Sequence, residues 1–135
     1  MKLARSVSKV YGIEVNPKAI IDAKYNADLN NLNNLSFHAG KVEDVIDKIN
    51  GHANKVIVDP PRAGLNKNVI KTFLQEDYDT IIYISCNKLT LVRDLKLLEG
   101  KYIIDSICLF DMFCYTSSVE CVCILRIATG NKKEK

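Results

Sequence analysis

The chain has 135 residues, 47% of them hydrophobic and 26% charged, which fits one soluble globular domain and excludes two full-sized ones. Its net charge of +3 permits a polyanionic partner without requiring one. No stretch approaches the roughly 18 apolar residues of a membrane span, and the first residues contain no apolar signal core. A cytoplasmic protein with no membrane partner is therefore predicted.

Short apolar runs alternate with amphipathic segments along the chain, a pattern typical of an α/β domain. Residues 7–15 predict a strand that is ended by Asn16 and Pro17, which open a helix with apolar residues at helical spacing. Residues 35–38 predict a short strand, and residues 42–49 predict the helix after it. The first 49 residues therefore form two strand–helix units.

Two apolar strands follow, and polar residues come directly after each. Lys55–Val58 is stopped by the Asp-Pro-Pro-Arg segment at 59–62, because proline has no N–H for the sheet and holds the preceding residue extended. Residues 69–74 mark a helix, residues 80–84 a buried strand, and the Ser-Cys-Asn segment at 85–87 leads into the next helix. Such loops commonly carry functional residues.

The last two predicted strands, residues 102–110 and 119–127, have no helix between them. They therefore predict an antiparallel hairpin that ends an otherwise parallel sheet. Residues 1–130 are assigned to one domain and residues 131–135 to a disordered tail.

Candidate binding residues lie at the carboxyl ends of predicted strands, where open α/β sheets bind ligands. Glu14 ends a strand just before a helix-opening turn, where an acid can accept hydrogen bonds from both hydroxyls of a ribose. The alternative for Glu14 is a surface acid stabilised by the helix dipole. Asp59 and Arg62 lie in a loop stiffened by two prolines, which is either a functional loop or a structural turn.

Candidate reactive residues follow later in the chain. Cys86 precedes a helix, whose unpaired N–H groups favour the thiolate nucleophile; an inert buried cysteine is the alternative. Glu120 begins the last strand and is a candidate proton acceptor. Cys121 and Cys123 share one face of that strand, and packing is favoured over a metal site because the five cysteines contain no Cys-x-x-Cys pair.

In chain order, these segments resemble the S-adenosylmethionine-dependent RNA uracil-5-methyltransferases, which modify transfer and ribosomal RNA. The resemblance covers residues 11–126 and rests on four motifs. They are Tyr-Gly-Ile-Glu-Val-Asn-Pro at 11–17, Asp-Pro-Pro-Arg-Ala-Gly-Leu at 59–65, Ile-Ser-Cys-Asn at 84–87 followed by Thr90, Leu91, Arg93, Asp94 and Leu95, and Asp-Met-Phe with Val-Glu within 111–120.

The resemblance implies a role for each matched residue. The implied roles are nucleophile for Cys86, general base for Glu120, acid on the cofactor ribose for Glu14 and acid in the methyl-donor site for Asp59. The Cys86 thiolate would add to C6 of the uridine, which activates C5 to accept the methyl group. A donor such as Arg62 or Asn87 would stabilise the enolate oxygen, and the target base would have to leave any stack.

The implied fold is the Rossmann-like sheet of class I methyltransferases, with the strand order 3-2-1-4-5-7-6. The family begins this fold with a strand and a glycine-rich loop, whereas no two of the six glycines here form a Gly-x-Gly. We therefore expect a catalytic-domain fragment that lacks the first strand and binds S-adenosylmethionine weakly. Because the missing strand is central, the strands ending at Glu14 and Asp59 should pair directly, or a second chain should fill the gap in a homodimer.

Other positions also depart from the family pattern, namely Lys41, Lys88, Cys114 and Ser118. Three functions therefore stay open. The first is methylation of uridine C5 in RNA, and the second is a folded, dimerising remnant without cofactor binding or catalysis. The third is an amino-group methyltransferase, but such enzymes usually place an aromatic residue after Asp-Pro-Pro, where this chain has Arg62, and they do not need Cys86.

Overall fold

The computed structural model describes residues 2–49, 53–112, 115 and 119–128. The predicted tail at residues 131–135 and the departures at Cys114 and Ser118 lie outside these residues. The chain divides into two compact units, residues 1–53 and residues 54–135.

The first unit contains a two-stranded parallel sheet. Its strands are β1 (Val10–Glu14) and β2 (Leu35–Ala39), and its helices are α1 (Pro17–Leu29) and α2 (Val42–Val45). Asn16 caps α1 by accepting a hydrogen bond from the Lys18 backbone N–H, and Pro17 occupies the first turn. The strand-to-helix junction predicted at Asn16 and Pro17 is thus confirmed, for the capping reason that the sequence suggests.

Two predicted boundaries in this unit are wrong. β1 begins at Val10 rather than at residue 7, since a 3-10 helix spans Lys2–Ser6. The helix predicted over residues 42–49 divides into α2 and a 3-10 turn, Ile46–Lys48. Lys41 at the start of α2 makes no side-chain capping hydrogen bond, so this short helix lacks a common source of stabilisation.

The second unit contains a four-stranded sheet and two helices. The elements are β3 (Lys55–Val58), α3 (Lys67–Gln75), β4 (Thr80–Ser85), α4 (Lys88–Leu98), β5 (Tyr102–Phe110) and β6 (Glu120–Ile127). The strand order is β3-β4-β6-β5. β3 and β4 are parallel, whereas β6 runs antiparallel to both β4 and β5. The predicted terminal antiparallel hairpin is confirmed.

The core of the second unit lies on one face of this sheet. Alternate residues of β4 and β6 are buried there, as are apolar residues of both helices: Ile81, Tyr83, Cys121, Cys123, Leu125, Val69, Phe73, Leu91 and Leu98. The Tyr102 hydroxyl donates a hydrogen bond to the Phe73 carbonyl at 3.1 Å, which ties β5 to α3. This alternation follows from the period of two in a strand.

The predicted direct pairing of the strands that end at Glu14 and Asp59 is wrong among the described residues. β1 pairs with β2 in one sheet, and β3 pairs with β4 in another. β1 and β3 each keep one parallel neighbour that the family's strand order gives them, β2 and β4 respectively. Each is therefore an outer strand of its own sheet. Because β3 is an outer strand, it is also less buried than its apolar sequence suggests: Ile57 is 49% exposed and Val58 is buried.

None of the helices within the described residues combines the length and the apolar character needed to cross a bilayer.

Candidate active site

Four chain segments meet at one end of the four-stranded sheet. β3 and β4 are parallel and both end there. β6 is antiparallel to β4 and therefore begins there, and β5, which is antiparallel to β6, ends there. We call this the carboxyl end of the sheet. Five of the six predicted site residues lie at it or in its loops: Asp59, Arg62, Cys86, Asn87 and Glu120.

Cys86 directly follows β4, and Glu120 is the first residue of the neighbouring strand β6. Ser85, the last residue of β4, is paired with Cys121 of β6. Cys86 follows Ser85 and Glu120 precedes Cys121, so the two residues lie one position beyond the same antiparallel pair. Both residues are half-buried, so the thiol and the carboxyl group are each partly accessible at the carboxyl end of the sheet.

The loop after β3 presents two charged side chains at the same end. Asp59 and Arg62 are both exposed. The turn is closed by a hydrogen bond from the Gly64 N–H to the Pro61 carbonyl at 2.8 Å. Gly64 has a φ of +80°, and a Cβ there would lie 2.6 Å from both Arg93 Nη2 and Asp94 Oδ2. Glycine is therefore needed at position 64 for its backbone conformation and for space.

Asn87 connects this loop to the segment that carries Cys86. Its side-chain oxygen caps α4 by accepting from the Leu89 N–H at 3.0 Å, and its amide nitrogen donates to the Arg62 carbonyl at 3.0 Å. Its own N–H donates to Ser85 Oγ at 3.1 Å. α4 begins at Lys88, directly after this cap.

A fully buried carboxylate, Asp94, lies beneath the loop. Oδ2 accepts hydrogen bonds from the Tyr83 hydroxyl at 2.7 Å and from the Leu65 N–H at 2.8 Å. Oδ1 accepts from Arg93 Nε at 2.9 Å and Nη2 at 2.7 Å. Burial, followed by the hydrogen bond to Asp94, raises the pKa of Tyr83 above its usual range, so the hydroxyl keeps the proton that it donates.

These contacts give a role to residues that sequence reasoning matched to the family but left without a function. The available signal was the position of Asp94, three residues after Leu91 and four before Leu98. This places a charged residue on the buried face of α4. Charged residues are rarely buried unless they are paired, so such a position indicates a specific set of partners.

Glu14, the remaining predicted site residue, belongs to the first unit. It is exposed at the carboxyl end of β1, and its Oε1 accepts a hydrogen bond from the Asn16 N–H at 2.8 Å. This contact fixes the carboxylate beside the start of α1. The carboxylate has further lone pairs available as acceptors.

Cys121 and Cys123 are core residues, unlike Cys86. Both are buried, and the described residues contain no group of three or more His, Cys, Asp or Glu side chains arranged to hold a metal ion. Burial raises the pKa of Cys121, and burial together with the neighbouring Cys121 raises the pKa of Cys123 to about 11 from its ordinary 9.0.

The raised pKa of Cys123 predicts a loss of stability at alkaline pH. Between pH 9 and about 11, the unfolded thiol loses its proton while the folded thiol keeps it, so the free energy of unfolding falls as pH rises. Over this interval we expect wild type to lose on the order of 2 kcal/mol more than Cys123→Ala. Urea denaturation at both pH values measures the difference, with Cys108→Ala, an exposed position, as control. Equal losses in wild type and Cys123→Ala contradict the prediction.

Comparison with protein families and curated proteins gives consistent matches. Residues 1–128 match the family model described as tRNA (uracil-5-)-methyltransferase. A protein of Bacteroides thetaiotaomicron described as an uncharacterized RNA methyltransferase is 41% identical over 129 residues, and one of Bacillus cereus is 43% identical over 127 residues. The matches cover 93% and 91% of this chain, respectively, but the chain spans 28% of the length of each relative.

Solved structures show the same similarity. The tRNA (uracil-54, C5)-methyltransferase of Pyrococcus abyssi, in complex with S-adenosyl-L-homocysteine, matches with a TM-score of 0.79 and 38% identity. This match covers 91% of the present chain and 30% of the Pyrococcus chain. An rRNA methylase of Streptococcus thermophilus, at 14% identity, matches 93% of this chain and 76% of its own with a TM-score of 0.67. The predicted Rossmann-like methyltransferase fold is thus confirmed.

Proposed function

The chain belongs to the tRNA (uracil-5-)-methyltransferase family. We propose that it is part of an RNA methyltransferase and that this part carries out the methylation of uridine at C5. The observation that carries this proposal is the pairing of Ser85 with Cys121, because Cys86 directly follows the first and Glu120 directly precedes the second at one end of the sheet. C5 methylation requires a nucleophile for C6 and a base for the C5 proton. The arrangement supplies one of each.

The chemistry gives the two residues separate roles, Cys86 as the nucleophile and Glu120 as the base. The Cys86 thiolate adds to C6 of the uridine, and the electrons of the C5–C6 double bond move to form an enolate at O4. When bound, S-adenosylmethionine would supply the methyl group that C5 takes up, and the broken sulfur–methyl bond would leave S-adenosylhomocysteine. Glu120 then removes the C5 proton, the double bond re-forms, and the thiolate of Cys86 leaves. Covalent catalysis thus divides one difficult substitution into easier steps.

Arg62 is the better of the two candidate donors to the enolate oxygen. Its side chain is exposed at the carboxyl end of the sheet, and a guanidinium stabilises a developing negative charge. The Asn87 amide is already engaged through both its oxygen and its nitrogen. We therefore assign Asn87 to holding the loop and Arg62 to the enolate.

Two carboxylates fit the donors that the cofactor carries. Glu14 is exposed at a strand end and keeps acceptor capacity beyond its bond to Asn16, as binding of ribose hydroxyls requires. Asp59 is exposed directly after β3, and its negative charge suits the positively charged methyl-donor end of S-adenosylmethionine. We propose these two roles separately, each from the position of its own residue.

Cofactor binding and product identity test the proposal. Calorimetric titration of the chain with S-adenosylmethionine and then S-adenosylhomocysteine should show weak binding, because the chain contains no Gly-x-Gly loop. With millimolar S-adenosylmethionine and a transfer RNA transcript, we expect 5-methyluridine on nucleoside analysis. A base methylated on an amino group would favour the amino-group methyltransferase, and no methylation at all would favour the non-catalytic remnant.

Two further expectations stay predictions. A second copy of the chain would pair with outer strands such as β1 and β3, each of which has one hydrogen-bonded neighbour among the described strands. The cytoplasm, the predicted location, would give the chain access to transfer and ribosomal RNA.

A further inference from the structure

The loop at residues 59–65 is held by side chains of α4 rather than by its own contacts alone. Asn87 Nδ2 donates to the Arg62 carbonyl, and Arg93 Nη2 donates to the Ala63 carbonyl at 2.9 Å. Asp94 accepts from the Leu65 N–H. The backbone groups of three loop residues, Arg62, Ala63 and Leu65, are thus bonded to side chains of α4 or of its N-cap residue Asn87.

Asp94 organises these contacts. It is 0% exposed, and it orients Arg93 through two hydrogen bonds while it binds Leu65 directly. Tyr83, in β4, donates to the same carboxylate. Loss of this carboxylate would leave the Tyr83 hydroxyl and the Leu65 N–H without the acceptor that they have now, which is costly for buried donors.

We propose that Asp94 is a positioning residue, which clamps the 59–65 loop onto the first turns of α4 and so holds Arg62 and Asp59 in place relative to Cys86. The importance of this clamp for catalysis rests on the function proposed above. The clamp itself is a property of the chain without RNA or cofactor. Its components are Asp94, Arg93, Tyr83 and the backbone of residues 62–65.

Hydrogen exchange of the Leu65 N–H tests the clamp in Asp94→Ala. We expect this amide to exchange about tenfold faster relative to the amides of β4, as loss of a hydrogen bond to a charged group predicts. Leu98→Ala is the matched control, because it removes another fully buried side chain of α4 that makes none of the clamp's hydrogen bonds. It should destabilise the unit without changing the ratio between Leu65 and β4. Asp94→Asn keeps one acceptor oxygen and should give an intermediate value.

Gly64→Ala disturbs the clamp from the loop side and leaves Asp94, Tyr83 and Arg93 intact. Its Cβ would meet Arg93 Nη2 and Asp94 Oδ2 at 2.6 Å, so either the loop or these two side chains must shift, and both changes disturb the clamp. It should reproduce the faster exchange of Leu65 even if Asp94→Ala does not fold.

Alkylation of Cys86 by iodoacetamide, followed by peptide mass spectrometry, reports positioning rather than stability. In Asp94→Ala and Gly64→Ala the ratio of Cys86 to Cys108 alkylation should rise at least about threefold, because a released loop uncovers the start of α4. In Leu98→Ala this ratio should stay at the wild-type value. A merely structural role would change all sites together.

The proposal is wrong if hydrogen exchange of the Leu65 and β4 amides accelerates by the same factor in the clamp variants. It is also wrong if alkylation of Cys86 relative to Cys108 stays unchanged in those variants. Neither readout requires RNA or S-adenosylmethionine. Failure of the wild-type chain to methylate RNA would count against the proposed function alone, so the two failures can be told apart.

Discussion

We expect Cys86→Ala to form no covalent complex with RNA that contains 5-fluorouridine, under conditions in which wild type does. Fluorine at C5 cannot be removed as a proton, so the wild-type reaction should stop with Cys86 bonded to C6. Without the thiol, C5 of uracil is too weak a nucleophile, and methylation should fall at least about a thousandfold. Denaturing gel electrophoresis measures the complex, and radiolabelled methyl transfer measures the rate.

The control for Cys86→Ala is Cys108→Ala, since Cys108 is an exposed thiol on β5. This variant should form the complex as wild type does. Unchanged methylation in Cys86→Ala would contradict the proposed addition of Cys86 to C6 of uracil and would favour a reaction that needs no thiol.

Glu120→Gln should stop the reaction one step later. The amide cannot take the C5 proton, so the methylated intermediate should accumulate on Cys86 even with ordinary uridine. Turnover should fall by roughly 10²- to 10⁴-fold, the usual contribution of a general base. Half-burial at the start of β6 leaves the residue able to reach a substrate while it is positioned by the strand. Intact-mass analysis of the protein after quenching measures the accumulated adduct.

The matched control is Glu99→Gln, which makes the same chemical change at the far end of α4. It should turn over at the wild-type rate. If Glu120→Gln also turns over normally, a different group removes the proton and the assignment of Glu120 is wrong.

The sequence predicted strands best where their ends are marked chemically. β3 has the predicted bounds because Pro60 and Pro61 stop it, and the hairpin of β5 and β6 follows from two long apolar runs with no helix between them. The break after α2 was missed, because its apolar spacing suits a longer helix and a missing cap is a weak signal.

The site was predicted in part. The strand ends placed Asp59 and Cys86 at one end of the sheet, but residues alone do not show that β6 lies between β4 and β5; the family's strand order supplied this. That insertion places the start of β6, with Glu120, next to the end of β4, which Cys86 follows. The role of Asp94 could not be predicted, because its partners Tyr83 and Leu65 are brought together by tertiary structure. Only its burial on an apolar helix face gave a hint.

Peptide mapping of the wild-type chain after reaction with 5-fluorouridine RNA and millimolar S-adenosylmethionine tests the central claim most directly. The account predicts a methylated fluorouridine adduct on the peptide that contains Cys86, and no adduct on the peptides of the other cysteines. An adduct on another cysteine, or 5-methyluridine formed in ordinary RNA by a chain that never carries the adduct, would contradict it.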